Sequence, residues 1–120
     1  MRVGALKIKA QIYCGDDLAM GPGKADLLEA IASTGSISAA GRLLGISYRR
    51  SWLLVDSMNR CWHDRLVEAT AGGGRNRGAR LTATGRTVLA DYRALETRLA
   101  AAGDLGPLAA LLRDTPLPTA

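Results

Sequence analysis

Apolar and polar residues alternate near the start of the chain, and this pattern predicts a half-buried strand over residues 5–13. The inward face of that strand would carry Leu6, Ile8, Ala10 and Ile12. A turn at 15–17 and a Gly-Pro-Gly break at 21–23 are expected to follow. The apolar period then changes to that of a helix over about 24–33, which Gly35 would end as a left-handed cap.

Two further helices are predicted on either side of Gly45, which permits a tight turn. Ser36 is suited to cap the first, over about 38–44, and Ser47 is suited to cap the second, which runs to about Cys61. The inward face of the second helix carries one stripe, made of Ser51, Val55 and Met58. The small residues Ala39 and Ala40 would let the two helices cross closely, as in a helix-turn-helix.

The second half of the chain predicts a hairpin and a longer helix. Short strands at about 66–69 and 80–82 flank a basic, glycine-rich loop. Thr84 is suited to cap a helix to about Ala102, whose apolar stripe is Val88, Leu89, Tyr92, Leu95 and Leu99. The order helix, glycine turn, helix and basic hairpin predicts a winged helix-turn-helix fold, mainly α with a small β-hairpin wing.

The positive charge of the chain is concentrated in its middle third. Residues 35–80 carry eight arginines against three acidic residues, while both flanking regions are neutral, so the net charge of +5 lies there. The planar guanidinium fork suits phosphates and guanine edges, so a local arginine excess points to nucleic acid. A merely solvated basic surface is the alternative interpretation.

The helix that begins near Ser47 is the candidate recognition helix, and its N-terminal residues would lie nearest the bases of a major groove. The predicted DNA-contacting residues are Ser36, Ser38, Ser47, Tyr48, Arg49, Arg50 and Leu53, with Arg75 and Arg77 on the wing loop. Ser47 is expected on a phosphate and the wing arginines on the backbone or minor groove. Leu53 would either contact a thymine methyl or pack within the domain. Trp52 is interpreted as a wedge packed into the core, with a platform on which bases stack as the alternative, and Trp62 is interpreted as a cover for the wing base.

Composition excludes several other classes. A chain of 120 residues with 48% apolar and 22% charged residues suits one globular domain. No uncharged stretch is long enough for a membrane span, and Lys7 and Lys9 interrupt any signal region. Cys14 and Cys61 form no disulfide framework, which favours the cytoplasm, and with His63 they lack the ligand number and spacing of a zinc site. We therefore expect no enzyme activity, no metal and no cofactor.

Five segments of the chain carry a family resemblance. They are Thr34-Gly-Ser-Ile-Ser-Ala-Ala, Gly45-Ile-Ser-Tyr-Arg-Arg-Ser-Trp, Asp56-Ser-Met-Asn-Arg, Leu66-Val-Glu and Arg80-Leu-Thr-Ala-Thr-Gly85. Together they resemble the N-terminal DNA-binding domain of the ModE family of molybdate-responsive regulators, and more broadly LysR-type winged helices.

The resemblance implies a dimeric bacterial transcription factor that binds palindromic duplex DNA through paired recognition helices. The domain would span 1–103, with the helix-turn-helix at about 36–61, the wing at about 66–82, a dimerisation helix at about 84–102 and a short tail at 104–120. By position, the dimer contacts would be Val88, Tyr92, Leu95 and Leu99, although this stripe could equally pack within its own domain. The sequence ends at Ala120 without the molybdate-binding domains of ModE proteins, so molybdate binding is not expected. The alternative function is a winged-helix protein-interaction module without DNA binding.

Overall fold

The structure is a computed structural model that describes residues 1–70 and 78–119. Its α-helices there are α1 (Pro22–Thr34), α2 (Ile37–Leu44), α3 (Tyr48–Cys61) and α4 (Ala83–Ala102). Its strands are β1 (Arg2–Val3), β2 (Leu6–Lys7), β3 (Ile12–Cys14), β4 (Asp17–Met20), β5 (Val67–Thr70) and β6 (Gly78–Leu81). They pair antiparallel as β1 with β2, β3 with β4 and β5 with β6. A 3-10 turn follows at Gly106–Ala110. The predicted fold class, mainly α with a small hairpin, is confirmed.

The N-terminal region differs from the single strand predicted over 5–13. Two hairpins form instead, and each turns at a glycine with positive φ, Gly4 in β1–β2 and Gly15 in β3–β4. Strand β4 was not predicted. The alternation of burial is nevertheless as expected, because Leu6, Ile8, Ala10 and Ile12 are half-buried and the residues between them are exposed. The sequence pattern thus indicated the inward face, but not the interruptions of the strand.

Helix α1 supplies the centre of the hydrophobic core. Its apolar stripe of Leu27, Leu28 and Ile31 is fully buried, and it packs with Met20, Met58 and Leu66. The helix begins at Pro22, two residues earlier than predicted, because proline is tolerated in a first turn whose N–H groups have no helical partner. As predicted, Gly35 ends the helix in the left-handed conformation. Its N–H donates to the Ile31 carbonyl.

Helices α2 and α3 form the predicted helix-turn-helix. Ser36 caps α2 by accepting from Ala39 N at 3.1 Å, and Gly45 ends it with φ of 72°. The two helices approach closely at Gly41, next to the fully buried Ala40: a Cβ on Gly41 would collide with Ser51 Oγ. The inward stripe of α3 is buried as predicted, at Ser51, Val55 and Met58.

Strands β5 and β6 form the base of the wing, where Val67 pairs with Leu81. The Ala79 N–H donates to the Gly35 carbonyl at 2.8 Å, which fixes β6 to the end of α1. The predicted wing loop, with Arg75 and Arg77, lies outside the residues that the structure describes.

Helix α4 is capped by Thr82 and not, as predicted, by Thr84. Thr82 has an extended backbone directly after β6, and its hydroxyl accepts from Gly85 N at 2.9 Å. Thr84 lies inside the first turn, where its hydroxyl donates to Asp64 at 2.9 Å. Among the residues described, no helix is both long and apolar enough to cross a membrane.

Candidate nucleic-acid interface

Helix α3 has one exposed face, opposite the stripe that it buries in the core. The exposed side chains along this face are Arg49, Trp52, Leu53, Asp56 and Arg60. Tyr48 lies at its edge towards the wing, and Arg50 lies at its edge towards α1. The predicted DNA-contacting residues of α3 therefore spread across the full outer surface of the helix.

A groove of about 400 Å³ separates α3 from the wing base. It brings together Ser36 and Ser38 from the start of α2 with Tyr48 from the start of α3. Trp52 and Arg65 also line it. Three of the predicted contact residues thus share one concave surface between the two helix N-termini and the wing strands.

Arg50 lies on the opposite flank of α3, in a second groove of about 420 Å³. Lys9, Lys24 and the start of α1 line the same groove. Arg49 and Leu53 stand between the two grooves and border a shallow depression with Trp52. The arrangement places basic side chains along the centre and along the α1 side of the exposed face.

The N-terminal ends of α2 and α3 both border the first groove, and the first N–H groups of a helix have no partner within the helix. Ser47 caps α3 by accepting from Arg50 N at 3.0 Å, and its side chain is exposed. Because this bond uses an oxygen lone pair, the Ser47 hydroxyl hydrogen can still be donated to an anion. Helix N-termini favour negative charge, so the two starts suit phosphate groups.

The arginines of the middle region divide into paired and unpaired groups. Arg60 pairs with Asp56 at 3.0 Å along α3, and Arg80 pairs with Glu68 at 2.8 Å across the wing base. Arg49 and Arg50 form no ion pair with any residue in 1–70 or 78–119. The uncompensated positive charge of α3 therefore lies at its N-terminal turn.

Lys24 is a buried cation behind α3 that the sequence pattern did not reveal. It is only 6% exposed, and its ammonium donates to the Leu18 carbonyl and, at 3.0 Å, to Ser57 Oγ of α3. Burial lowers the pKa of Lys24 below its ordinary value. A lysine in the first turn of a helix is normally exposed, so no local signal distinguishes this one.

The two tryptophans occupy places other than those predicted. Trp52 is 45% exposed and packs edge to face on Tyr48, with ring centroids 6.1 Å apart, so the core-wedge interpretation is wrong. Its spacing of four residues from Tyr48, off the buried stripe, was the available signal. Trp62 donates its indole N–H to the Ala19 carbonyl at 3.1 Å and lies beside Val88, not over the wing base.

The sequence allows two interpretations of Leu53, contact with a thymine methyl group or packing within the domain. Its side chain is half exposed on the outer face of α3, so packing within the domain is excluded as its main role. Contact with a thymine methyl remains the open alternative.

The apolar stripe of α4 is only partly available to a partner. Tyr92 is 2% exposed, and its hydroxyl donates to the Ala10 carbonyl at 2.7 Å, so its side chain belongs to the domain's own core. The prediction of Tyr92 as a dimer contact is therefore corrected. Val88, Leu95 and Leu99 are half-buried.

The cysteines and acidic residues do not assemble a metal centre in the part of the chain that the structure describes. No group of three or more His, Cys, Asp or Glu side chains there could hold a metal ion. Burial and the neighbouring Cys14 raise the pKa of the Cys61 thiol, which keeps it in the neutral form.

Two adjacent helices joined at a glycine turn, an exposed basic second helix and an antiparallel hairpin define a winged helix-turn-helix domain. The sequence matches the family described as bacterial regulatory helix-turn-helix protein, lysR family, over residues 24–86. The chain belongs to this LysR family of bacterial regulatory proteins.

Several relatives are about 40% identical to this chain over the region that matches. The chain is 42% identical over 78 residues to the molybdenum transport protein ModE of Azotobacter vinelandii. It is 43% identical over 81 residues to the molybdenum-pterin-binding protein MopB of Rhodobacter capsulatus. These matches cover 65% and 68% of this chain but only 29% and 30% of the relatives. The chain thus spans about a third or less of the length of the relatives that it matches.

A further relative is the DNA-binding transcriptional dual regulator ModE of Escherichia coli (strain K12), 38% identical over 71 residues, which are 59% of this chain and 27% of that protein. Among solved structures, the fold is similar to that in the crystal structure of a CbnR_DBD–DNA complex, with a TM-score of 0.55 and 25% identity. That match covers 73% of this chain and 95% of the other. The predicted resemblance to ModE and LysR-type DNA-binding domains is confirmed.

Proposed function

We propose that the chain binds duplex DNA in a sequence-specific manner, as a transcriptional regulator, with α3 in the major groove. The observation that carries this proposal is the pair Arg49 and Arg50, exposed and without an ion-pair partner among the described residues, in the first turn of α3. Family membership and a similar fold in a protein–DNA complex support it. A recognition helix contacts bases mainly through its N-terminal residues, where these arginines lie.

Each group of the interface would have a distinct role. Arg49, at the centre of the exposed face, would point at base edges, where an arginine fork matches O6 and N7 of guanine. Ser36 and Ser47 would place the N-termini of α2 and α3 against phosphates on either side. Arg75 and Arg77 remain predicted contacts of the wing with the DNA backbone or minor groove.

The proposal includes a homodimer formed through α4. It is supported by the apolar stripe of α4, where three side chains are only half-buried in the single chain: Val88, Leu95 and Leu99. Their remaining surface could be covered by a second copy. A two-fold dimer would hold its α3 helices about 34 Å apart, one turn of DNA. Light scattering during gel filtration should give twice the chain mass at tens of micromolar, and replacement of Leu95 and Leu99 by serine should give the single-chain mass. A wild-type protein that is monomeric at this concentration would contradict the dimer.

The proposed function is restricted to DNA binding and regulation. The names of two relatives refer to molybdenum, but the match covers only 29% and 30% of those proteins. As a bacterial regulator, the protein would act in the cytoplasm, where the chromosome lies.

The test replaces the two arginines that carry the proposal. A duplex preferred by the wild-type protein is first recovered from a pool of genomic fragments. The Arg49→Ala/Arg50→Ala variant should bind it at least about tenfold more weakly, because each well-placed base contact of an arginine contributes about 1–3 kcal/mol. The Arg2→Ala/Arg113→Ala variant, with the same change in charge at exposed positions outside the helix-turn-helix, should bind nearly as the wild type does. Normal binding by the Arg49→Ala/Arg50→Ala variant would contradict the assignment of the start of α3 to DNA contact.

A further inference from the structure

Three large apolar side chains lie together on the outer face of α3, and we call them the α3 patch. They are Tyr48, Trp52 and Leu53, which are 62%, 45% and 51% exposed. The rings of Tyr48 and Trp52 pack edge to face, and both border a shallow depression with Leu53. The N-terminal half of the candidate recognition helix therefore presents an apolar surface beside its arginines.

Among the residues that the structure describes, the α3 patch lies off the buried face of α3. The packing of α3 against the core is already provided by Ser51, Val55 and Met58, which are buried on the opposite side. An exposed apolar cluster with a polar border is typical of an interaction site. The border here consists of Arg49 and of Asp56, whose carboxylate accepts from Arg60 at 3.0 Å.

We propose that the α3 patch recognises thymine methyl groups on the floor of the major groove. Leu53 would touch the methyl group, and the Tyr48–Trp52 pair would form a rigid wall beside it. This inference rests on the proposed function, because it requires α3 to lie in the major groove of duplex DNA.

The chemistry of the groove selects this occupant. The C5 methyl of thymine is the apolar group that unmodified base pairs display in the major groove, and aliphatic and aromatic side chains contact it. Leu53 has no hydrogen-bond donor or acceptor, so it can read a base pair only through such a contact. Arg49, which has no ion-pair partner among the described residues, lies next to the patch. Its charge is complementary to DNA, which disfavours a cationic partner.

The length of the α3 patch limits how many bases it can read. Tyr48 and Leu53 are five residues apart, which is about 7.5 Å along a helix. Successive base pairs are about 3.4 Å apart along a strand. The patch therefore spans about two neighbouring base pairs, and we expect methyl recognition at one or two adjacent thymines in each recognised site.

The experiment removes single methyl groups from the DNA and measures binding by fluorescence anisotropy. In the duplex that the wild-type protein prefers, each thymine is replaced in turn by deoxyuridine, which keeps all hydrogen bonds of the base. Loss of one buried methyl contact should weaken binding about fourfold at one or two adjacent positions. At those positions the Leu53→Ala variant should lose this sensitivity, while Leu53→Met should retain it.

A matched control is Leu111→Ala, which removes an equally large and more exposed leucine, 81% accessible, outside the helix-turn-helix. It should keep the full response to deoxyuridine. Circular dichroism melts check that all variants fold. We expect the Leu53 variants to fold because this side chain is half exposed.

The possible failures are distinguishable. Sequence-specific binding that tolerates deoxyuridine at every position, or equal sensitivity of wild type and Leu53→Ala, would overturn the methyl contact and leave the proposed function intact. Failure of the wild-type protein to prefer any duplex would overturn both, and would favour a protein partner for the patch.

Discussion

The side-chain amide of Asn59 bonds both backbone polar groups of Val67. Its Oδ1 accepts from Val67 N at 3.1 Å, and its Nδ2 donates to the Val67 carbonyl at 3.0 Å. The same Oδ1 accepts from Leu66 N at 2.9 Å. Asn59 lies near the end of α3 and Val67 begins β5, so one side chain sets the position of the wing base relative to the candidate recognition helix.

Replacement of Asn59 by leucine should therefore destabilise the domain. The change keeps the approximate volume but leaves three partly buried backbone groups without their partner, at a cost of about 2–3 kcal/mol. Asn59→Asp keeps the acceptor and loses the donor, so its free energy of unfolding should lie between those of the wild type and the leucine variant. Urea denaturation followed by circular dichroism measures the three values. A leucine variant as stable as the wild type would show that the hydrogen bonds of Asn59 to Leu66 and Val67 do not stabilise the domain.

Gly85 should not tolerate a side chain. It lies in the first turn of α4, where an added Cβ would collide with the Leu66 carbonyl oxygen. We expect Gly85→Ala to lower the free energy of unfolding by about 2 kcal/mol or more, since backbone has to move. The matched control is Gly23→Ala in α1, where a Cβ meets nothing within 4 Å. That variant should be unchanged or about 0.5 kcal/mol more stable because alanine favours helix. Equal stability of the two alanine variants would contradict the close approach.

The buried ammonium of Lys24 should make stability depend on pH in a predictable direction. Burial lowers its pKa in the folded protein below the ordinary value of 10.5, so in the interval between the two values the unfolded chain binds more protons. Stability from this group therefore rises with pH in that interval. We expect the difference in unfolding free energy between wild type and Lys24→Met to shift in favour of the wild type as the pH is raised towards 10.5. Urea titrations at several alkaline pH values measure this difference. A difference that is constant, or that shifts in favour of Lys24→Met, would be inconsistent with a depressed pKa.

Arg93 of α4 bonds three carboxylates, two on α1 and one on α4 itself. Its guanidinium donates to Glu29 at 2.7 Å, to Glu96 at 2.7 Å and to Asp26 at 2.8 Å. These bonds raise its pKa, which keeps it charged. Because two of the acids are about half exposed, we expect Arg93→Ala to cost only about 1–2 kcal/mol. High salt should reduce the effect. Arg98→Ala, an exposed arginine on the same helix, is the control and should change little in thermal melts.

Local signals account for the parts of the fold that the sequence predicted well. The helix caps are examples: Ser36 and Ser47 cap α2 and α3, and Gly45 forms the turn between them. The chemistry of these residues determines their roles without help from distant parts of the fold. The hairpins at the N-terminus were missed because the same alternation of apolar residues fits one strand or two. Thr84 and Thr82 are both plausible caps, and only the position of β6 decides between them.

The residues at the exposed start of α3 could be predicted from the sequence, but the burial of several residues around them could not. Tyr48, Arg49 and Arg50 follow from the helical pattern, since they precede the buried stripe at its N-terminal end. The exposure of Trp52 and the burial of Lys24 and Tyr92 depend on which distant elements cover them. Residue type alone suggests the opposite for Trp52 and Lys24. The position of Trp52 off the buried stripe of α3 was a signal of its exposure, whereas no local signal revealed the burial of Lys24.

The most direct test of DNA binding is a salt-titrated fluorescence anisotropy measurement on the wild-type protein with a pool of genomic fragments. We predict tight binding to a small number of fragments, with the logarithm of the binding constant falling by about 0.9 per phosphate contact for each unit of log salt concentration. Equal binding to all fragments would contradict sequence specificity. Absence of binding to every fragment at low salt would contradict the proposed function itself.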